Sequence, residues 1–315
     1  MSGPGHHGRG VDAGPRVALA WLVAVAVLWT AVETVAAPLL ARLSPYQVVW
    51  MRYAVHLAVV WIIWGRGSLR SLARTRRPML QVGRSALMIA MPASWATAVA
   101  LGTDPHDIMA VFWMAPLLMV AFAFALGHEP FRLWRWVAAG AAVAGAWLAS
   151  GAFRLPQAAE WPLPLAMAAS FALYVVLTRS LRNEPIEVNL FWTGAGVIVP
   201  LTLVMPFVWI APSAGDLARV VVVGGLGVAG LYALDRMAAA APVGLTAPAH
   251  GLPPALFAVM TSIAVAPPGW REAAGVLSIA ALVAALWFVA SPDRAPHGNR
   301  TSASTAASRP PGAIE

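Results

Sequence analysis

The chain has 315 residues, of which 60% are hydrophobic and 11% are charged, and its mean hydropathy is +0.72. A soluble domain carries roughly 25% charged residues, so this composition excludes an ordinary water-soluble fold. The net charge of +8 comes from arginines in short segments between apolar runs, which argues against a nucleic-acid-binding domain, and the lack of cysteine excludes disulfides and thiolate chemistry.

Apolar runs of about 20 residues, each long enough to cross a bilayer, follow one another along most of the chain. They predict an all-α integral membrane protein with ten transmembrane helices. Polar, small-residue tails are expected at 1–16 and 291–315, and the spans divide into two five-helix halves, 17–150 and 162–290. The predicted spans 1 to 10 are 17–40, 45–65, 79–101, 104–126, 131–150, 162–182, 186–211, 216–237, 243–266 and 270–290.

The arginines predict the orientation of these spans. If the N-terminus is cytoplasmic, the inner segments carry fifteen arginines and the outer loops carry four. Because cytoplasmic segments of membrane proteins are enriched in positive charge, both termini are expected in the cytoplasm. The expected location is the inner (plasma) membrane of the cell.

Spans 1 and 2 each contain a charged residue. Glu33 lies seven residues before the end of span 1 and Arg52 lies seven residues after the start of span 2, so both are expected about 10 Å below the outer surface. They are predicted to pair, or to face one another across a cavity. Trp29 and His56 lie one helical turn deeper on the same faces. Two interpretations stay open: a gate or a site that responds to protons or substrate, and a structural ion pair.

The turn between spans 4 and 5, at 124–148, reads FALGHEPFRLWRWVAAGAAVAGAWL. Gly127 is expected to close span 4, Pro130 to lie in the first turn of span 5, and Glu129 to cap that helix at its positive end. His128 has no second histidine four residues away, so a protease-type zinc site is not predicted.

Spans 4 and 9 are predicted to line a transport pathway, because Pro116 and Pro248 interrupt them at corresponding places. Interrupted helices expose backbone polar groups to a cavity. The alternative for the aromatic and polar residues around these breaks is ordinary helix packing. The candidate pathway residues in and around these spans are Trp95, Trp113, Met114, Pro116, Tyr232, Pro248 and His250.

The two halves look like copies of one unit. VALGTDPHDIMAVFWMAP at 99–116 parallels YALDRMAAAAPVGLTAP at 232–248, with the prolines in register. An odd number of spans per copy inverts the second copy in the membrane, which is typical of secondary transporters.

The segments SPYQVVWMRYAVHLAVV and MAPLLMVAFAFALGHEPFRLWRWVAAGAAVAGAWL resemble the helix 2 opening and the helix 4–5 block of the drug/metabolite transporter superfamily, in its EamA-type members. The resemblance extends over about 17–290. It departs from the family in the second half, where VAPPGWRE replaces a Gly-Glu turn. It implies a ten-helix permease, commonly an exporter, with helices 3, 4, 8 and 9 near the pathway and helices 5 and 10 outside it, where a homodimer contact could form.

The sequence therefore favours a secondary transporter for a small metabolite, amino acid or drug-like compound, with membrane lipid as its surroundings, protons as a candidate coupling ion, and no cofactor or metal. An integral-membrane enzyme acting on a lipid-linked substrate and a passive channel are the alternatives. A pair such as Asp104 and His106 aimed into a polar cleft would favour the enzyme.

Overall fold

The structure is a computed structural model that describes residues 15–65, 68–150, 160–253, 255–256 and 269–290. These residues form helices and turns, with no strand among them. The helices are α1 (Pro15–Leu40), α2 (Pro45–Trp64), α3 (Leu69–Ala73), α4 (Pro78–Ala100), α5 (Pro105–Phe112), α6 (Ala115–Ala125), α7 (Leu133–Ser150), α8 (Pro162–Ser180), α9 (Ile186–Val208), α10 (Ala214–Ala240), α11 (Val243–Thr246), a 3₁₀ turn at Ala247–Gly251, and α12 (Trp270–Ala290).

Six stretches of the described residues are long and apolar enough to cross a membrane. Together with the helical architecture, they identify an all-α membrane protein. The stretches are Ala20–Leu40, Pro45–Trp64, Pro105–Ala125, Pro162–Ser180, Ile186–Val208 and Ala214–Ala240.

The helix bounds agree with the predicted spans to within three residues for spans 1–3, 5–8 and 10. The additional short helix α3 lies in the arginine-rich segment after α2, where the Ser68 hydroxyl accepts a hydrogen bond from the Ser71 N–H. The predicted tails and the 257–266 part of span 9 lie outside the described residues.

Span 4 is two helices rather than one. α5 ends at Phe112 and α6 begins at Ala115, with a turn at Trp113 and Met114 between them. Pro116 has no N–H to donate to the Phe112 carbonyl, and its ring would crowd that carbonyl in a continuous helix. It is accommodated instead in the first turn of α6. Span 9 is interrupted in the same way, because α11 gives way to the 3₁₀ turn that contains Pro248.

The turn after α6 differs from the prediction in two respects. Gly127 has a φ of +67° and ends α6 as expected. However, α7 begins at Leu133, so Pro130 precedes the helix. The Glu129 carboxylate accepts hydrogen bonds from the Gly244 N–H at 3.1 and 3.3 Å and pairs with Arg135. Glu129 therefore caps α11, a distant helix in the sequence, and the prediction that it caps the following helix was wrong.

Four helix pairs pack most extensively: α1 with α10, α4 with α8, α7 with α12, and α2 with α9. Each pair joins a helix from residues 17–150 to a helix from residues 162–290. Most of the buried apolar side chains belong to one core cluster that also spans both halves, so neither half has a core of its own.

Candidate functional site

A cavity of about 600 Å³, part of which is open to the surroundings, lies between α1, α2, α4, α8 and α10. Its wall is mostly apolar and includes two charged side chains. The residues that line it are Val25, Leu28, Trp29, Val32, Glu33, Arg52, Met88, Met91, Phe171, Tyr174, Leu226, Gly227, Gly230, Leu231 and Leu234.

The two charged residues of the cavity are Glu33 and Arg52, both half-buried. They do not form an ion pair: no carboxylate of the described residues lies within 4.0 Å of Arg52, and no cation within 4.0 Å of Glu33. Of the two predicted arrangements, the structure has the one in which they share a cavity without pairing.

Aromatic side chains and a glycine surround the two charged side chains at the cavity wall. The Arg52 guanidinium lies 5.0 Å from the centroid of the Tyr53 ring, and its Nη2 donates to the Tyr53 hydroxyl at 3.4 Å. Trp29, one turn before Glu33, lies beside the carboxyl group. Gly227 of α10 faces the Arg52 side chain, and a Cβ there would lie 3.7 Å from Arg52 Cδ. The glycine therefore leaves space next to the guanidinium.

Aromatic rings form the apolar part of the wall. Trp29 meets Phe171 edge to face, with ring centroids 4.7 Å apart and planes at 77°. Behind the cavity, the Phe171 ring also contacts Phe112 at 5.5 Å and His250 at 5.8 Å. Phe171 thus separates the cavity from the interrupted helices that correspond to spans 4 and 9.

Beneath the cavity, a buried polar cluster joins the two halves of the chain. We call it the Arg84 cluster. Arg84 is 0% exposed, and its Nη1 lies 3.4 Å from the Asp235 carboxylate. The Arg84 guanidinium also lies over the ring of Tyr174, 5.3 Å from its centroid, and Tyr174 lines the cavity. The members are Gln81 and Arg84 of α4, Thr178 of α8, Asn189 and Thr193 of α9, and Asp235 of α10.

The Arg84 cluster is densely hydrogen-bonded. Arg84 Nη2 donates to the Asn189 carbonyl at 2.7 Å and to the Thr193 hydroxyl at 2.8 Å, and Gln81 Nε2 donates to the Asn189 side chain at 2.7 Å. Each of these bonds crosses from α4 to α9. All members lie where α4 and α9 begin and α8 and α10 end, so the cluster is gathered at one end of these helices, next to the cavity residue Tyr174.

Sequence reasoning did not select Arg84 and Asp235. The predicted spans place Arg84 five residues after the start of span 3 and Asp235 two residues before the end of span 8, so their depths do not match. With the observed helix bounds, Arg84 lies six residues after the start of α4 and Asp235 five residues before the end of α10. This signal of matching depth therefore depends on where α10 ends.

The remaining predicted site residues lie outside the cavity. His56 is buried against α9, with Nε2 2.9 Å from the Leu190 carbonyl oxygen. The Tyr232 hydroxyl accepts hydrogen bonds from Arg236 at 2.9 and 3.1 Å. Trp95 packs against the core without lining the cavity. The pathway roles of these residues stay predictions.

The residues at the two helix breaks are buried together. Trp113 and Pro116 belong to the break between α5 and α6, with Met114 half-buried in the same turn, and Pro248 and His250 belong to the 3₁₀ turn. His250 Nδ1 lies 3.0 Å from the Thr246 carbonyl oxygen, which accepts only, so Nδ1 carries the proton. Trp113 Nε1 and His250 Nε2 have no hydrogen-bond partner among the residues that the structure describes.

The residues that would support an enzyme have a structural role. The Asp104 carboxylate accepts a hydrogen bond from the His106 N–H at 2.7 Å and caps α5. Among the described residues, no group of three or more His, Asp or Glu side chains is arranged to hold a metal ion.

The sequence matches no protein-family model and no curated protein. Its fold is found among solved structures. One protein of known crystal structure superposes with a TM-score of 0.74 at 21% sequence identity, over 87% of this chain and 97% of its own. At this identity the similarity establishes the fold and leaves the activity open.

Proposed function

We propose that the protein is a secondary active transporter that moves a small metabolite, amino acid or drug-like compound across the cytoplasmic membrane by alternating access, as an exporter. The observation that carries the proposal is the cavity among membrane-spanning helices with Glu33 and Arg52 unpaired on its wall. Charged residues within membrane helices are costly and mark substrate or ion pathways.

The pattern of helix packing supports an inverted repeat of two five-helix units. If each helix of the first half is exchanged for its counterpart in the second, the pair α1–α10 becomes α8–α4. The pairs α2–α9 and α7–α12 map onto themselves. All the principal pairs therefore remain under the exchange, as expected for two copies related by a two-fold axis in the membrane plane.

The Arg84 cluster supports alternating access. It joins α4 of the first half to α8, α9 and α10 of the second, at one end of the cavity. A transporter must hold one end of its site closed while the other is open, and a cluster of bonds between the two repeats can form and break as the repeats move.

Transport by the purified protein in proteoliposomes tests the proposal. Uptake of a panel of amino acids, other metabolites and drug-like compounds is measured with and without a pH gradient. We expect at least one compound to accumulate against its own gradient. Glu33→Gln should lower the rate roughly tenfold or more, because a charged hydrogen-bonding group of the cavity is lost. Glu187→Gln, the same change at the start of α9 outside the cavity, should leave the rate unchanged.

The same measurement separates the alternatives. A channel would equilibrate a compound without accumulating it, and an enzyme would leave it chemically changed. Unchanged rate and pH dependence in Glu33→Gln would contradict a role for Glu33 in transport or coupling. The absence of gradient-driven accumulation for every compound would contradict the transporter itself.

A further inference from the structure

The cavity wall carries one acidic and one basic side chain that do not form a salt bridge with each other. Glu33 and Arg52 both line it, and neither has an oppositely charged partner within 4.0 Å among the described residues. By contrast, Arg84 and Asp235 at the end of the same cavity are paired with each other. Of these two sets of charged residues within the helices, the one that borders the open space is the one without a salt bridge.

Each of these two groups selects a complementary charge. A carboxylate binds an ammonium group, and a guanidinium binds a carboxylate through two parallel hydrogen bonds. A ligand with only one charge would satisfy one side chain and leave the other desolvated and unpaired, which costs more than the missing bond contributes. A ligand with both charges satisfies both side chains and leaves the occupied cavity neutral.

The rest of the wall specifies an apolar body for the ligand. Trp29 and Phe171 form an edge-to-face pair on one side, and Met88 and Met91 of α4 contribute flexible apolar side chains that adapt to different shapes.

From these observations we infer that the cavity recognises zwitterions with an apolar side chain, whose ammonium group binds Glu33 and whose carboxylate binds Arg52. The apolar side chain packs against Trp29, Phe171 and the two methionines. The inference rests on the proposed function in one respect, that this cavity is the substrate site. It concerns the binding of a ligand and not its transport.

Binding of three matched ligands to the purified full-length protein in detergent tests the inference. The probes are L-leucine, which is a zwitterion, L-leucinamide, which keeps only the positive charge, and N-acetyl-L-leucine, which keeps only the negative charge. Calorimetric titration of the wild-type protein should show leucine binding about tenfold or more tightly than either derivative, as expected for one lost charged hydrogen bond.

Two variants should change the preference in opposite directions. Glu33→Gln removes the site for the ammonium group, so the advantage of leucine over N-acetyl-leucine should disappear. Arg52→Gln removes the site for the carboxylate, so the advantage over leucinamide should disappear. Glu187→Gln and Arg132→Gln make the same chemical changes outside the cavity and should keep the wild-type preference.

The wild-type comparison alone can overturn the inference, even if a variant fails to fold. If either singly charged derivative binds the wild-type protein as well as leucine does, or if none of the three binds, the cavity is not a zwitterion site. The outcome is independent of transport. Selective binding without transport would contradict the proposed function only, and transport with equal binding of singly charged ligands would contradict this inference only.

Discussion

At the scale of single residues, removing one partner of the Arg84–Asp235 pair is the change from which we expect the largest loss of stability. Arg84 is 0% and Asp235 7% exposed, and the pair connects α4 to α10. Asp235→Asn keeps the shape of the side chain but leaves a buried guanidinium without its counter-charge. We expect a loss of about 3 kcal/mol in the free energy of unfolding, near the lower end for broken buried pairs, because other members of the Arg84 cluster still bind Arg84. Unfolding in detergent, followed by circular dichroism, measures it.

Arg42 provides the matched control. Its Nη1 lies 3.1 Å from the Asp216 carboxylate, but Arg42 is 58% exposed. Arg42→Gln should cost less than about 1 kcal/mol, because water replaces the lost contact. Equal effects of Asp235→Asn and Arg42→Gln would mean that the buried pair does not stabilise the fold. The double variant Arg84→Met with Asp235→Leu should recover most of the loss, since it leaves no buried charge unpaired.

The sequence predicted part of the site at this scale. Glu33 and Arg52 stood out because each is a charge well inside an apolar run, and depth alone brings them to one level. The sequence could not distinguish pairing from facing across a cavity, because that depends on where α10 packs. Gly227 of α10 faces the Arg52 side chain, and helical spacing within α1 and α2 carries no information about this contact.

His56 also shows that helical spacing does not by itself determine which residues line a cavity. It lies one turn from Arg52, so the sequence assigned both to one face. In the structure the imidazole binds the Leu190 carbonyl of α9 instead of lining the cavity. Four residues on a helix are separated by about 40° of rotation, which is enough to move a side chain from a cavity to a neighbouring helix.

At the scale of helices, the crossing of α7 and α12 depends on two glycines. A Cβ at Gly275 would lie 2.5 Å from the Gly145 carbonyl oxygen and 2.6 Å from the Ala149 nitrogen. Both are backbone atoms of α7, so they cannot rotate away. Gly275→Ala should therefore push α12 off α7 and cost about 1–3 kcal/mol, the usual cost of overpacking. The change is measured as a lower melting temperature in detergent.

Gly140 is the control for this prediction, because it lies in α7 and nothing is within 4 Å of its added Cβ. Gly140→Ala should leave the melting temperature unchanged or raise it slightly, since alanine favours the helix. A similar decrease in both variants would show that the effect comes from helix propensity rather than from the crossing. Gly140 and Gly145 lie five residues apart in α7, and of the two only Gly145 would place an added Cβ against α12.

Helix breaks were predictable, as was the end of α6 at Gly127, but the cap provided by Glu129 was not. Pro116 and Pro248 indicated the interruptions because they stand at corresponding places in the two halves; proline alone would not have done so, since Pro92 and Pro200 lie inside continuous helices. The partner of Glu129 is Gly244, more than a hundred residues later, and the bond forms only once α6 and α11 have packed together. Caps that join distant helices depend on the tertiary fold and have no local signature.

At the scale of the whole molecule, every principal helix pair joins one half of the chain to the other. The Arg84 cluster and the main hydrophobic core likewise contain residues from both halves. A half expressed alone would expose the small and polar surfaces with which α1, α2, α4 and α7 meet their partners. The two halves therefore form a single unit.

The distribution of arginine predicts the orientation of the molecule in the membrane. The chain contains no cysteine, so single cysteines report their own position without background. Arg74, between α3 and α4, and Leu101, directly after α4, are both exposed and lie at opposite ends of one helix. A membrane-impermeant maleimide applied to intact spheroplasts should label Leu101→Cys and spare Arg74→Cys.

Permeabilisation should then expose Arg74→Cys to the same reagent, with Ala139→Cys, buried in α7, as the unlabelled control. The reverse pattern would place both termini outside and contradict the orientation. Labelling of both sites in intact spheroplasts would mean that the chain inserts both ways. The expected pattern would put the Arg84 cluster at the cytoplasmic end of the cavity and Glu33 and Arg52 nearer the outer face.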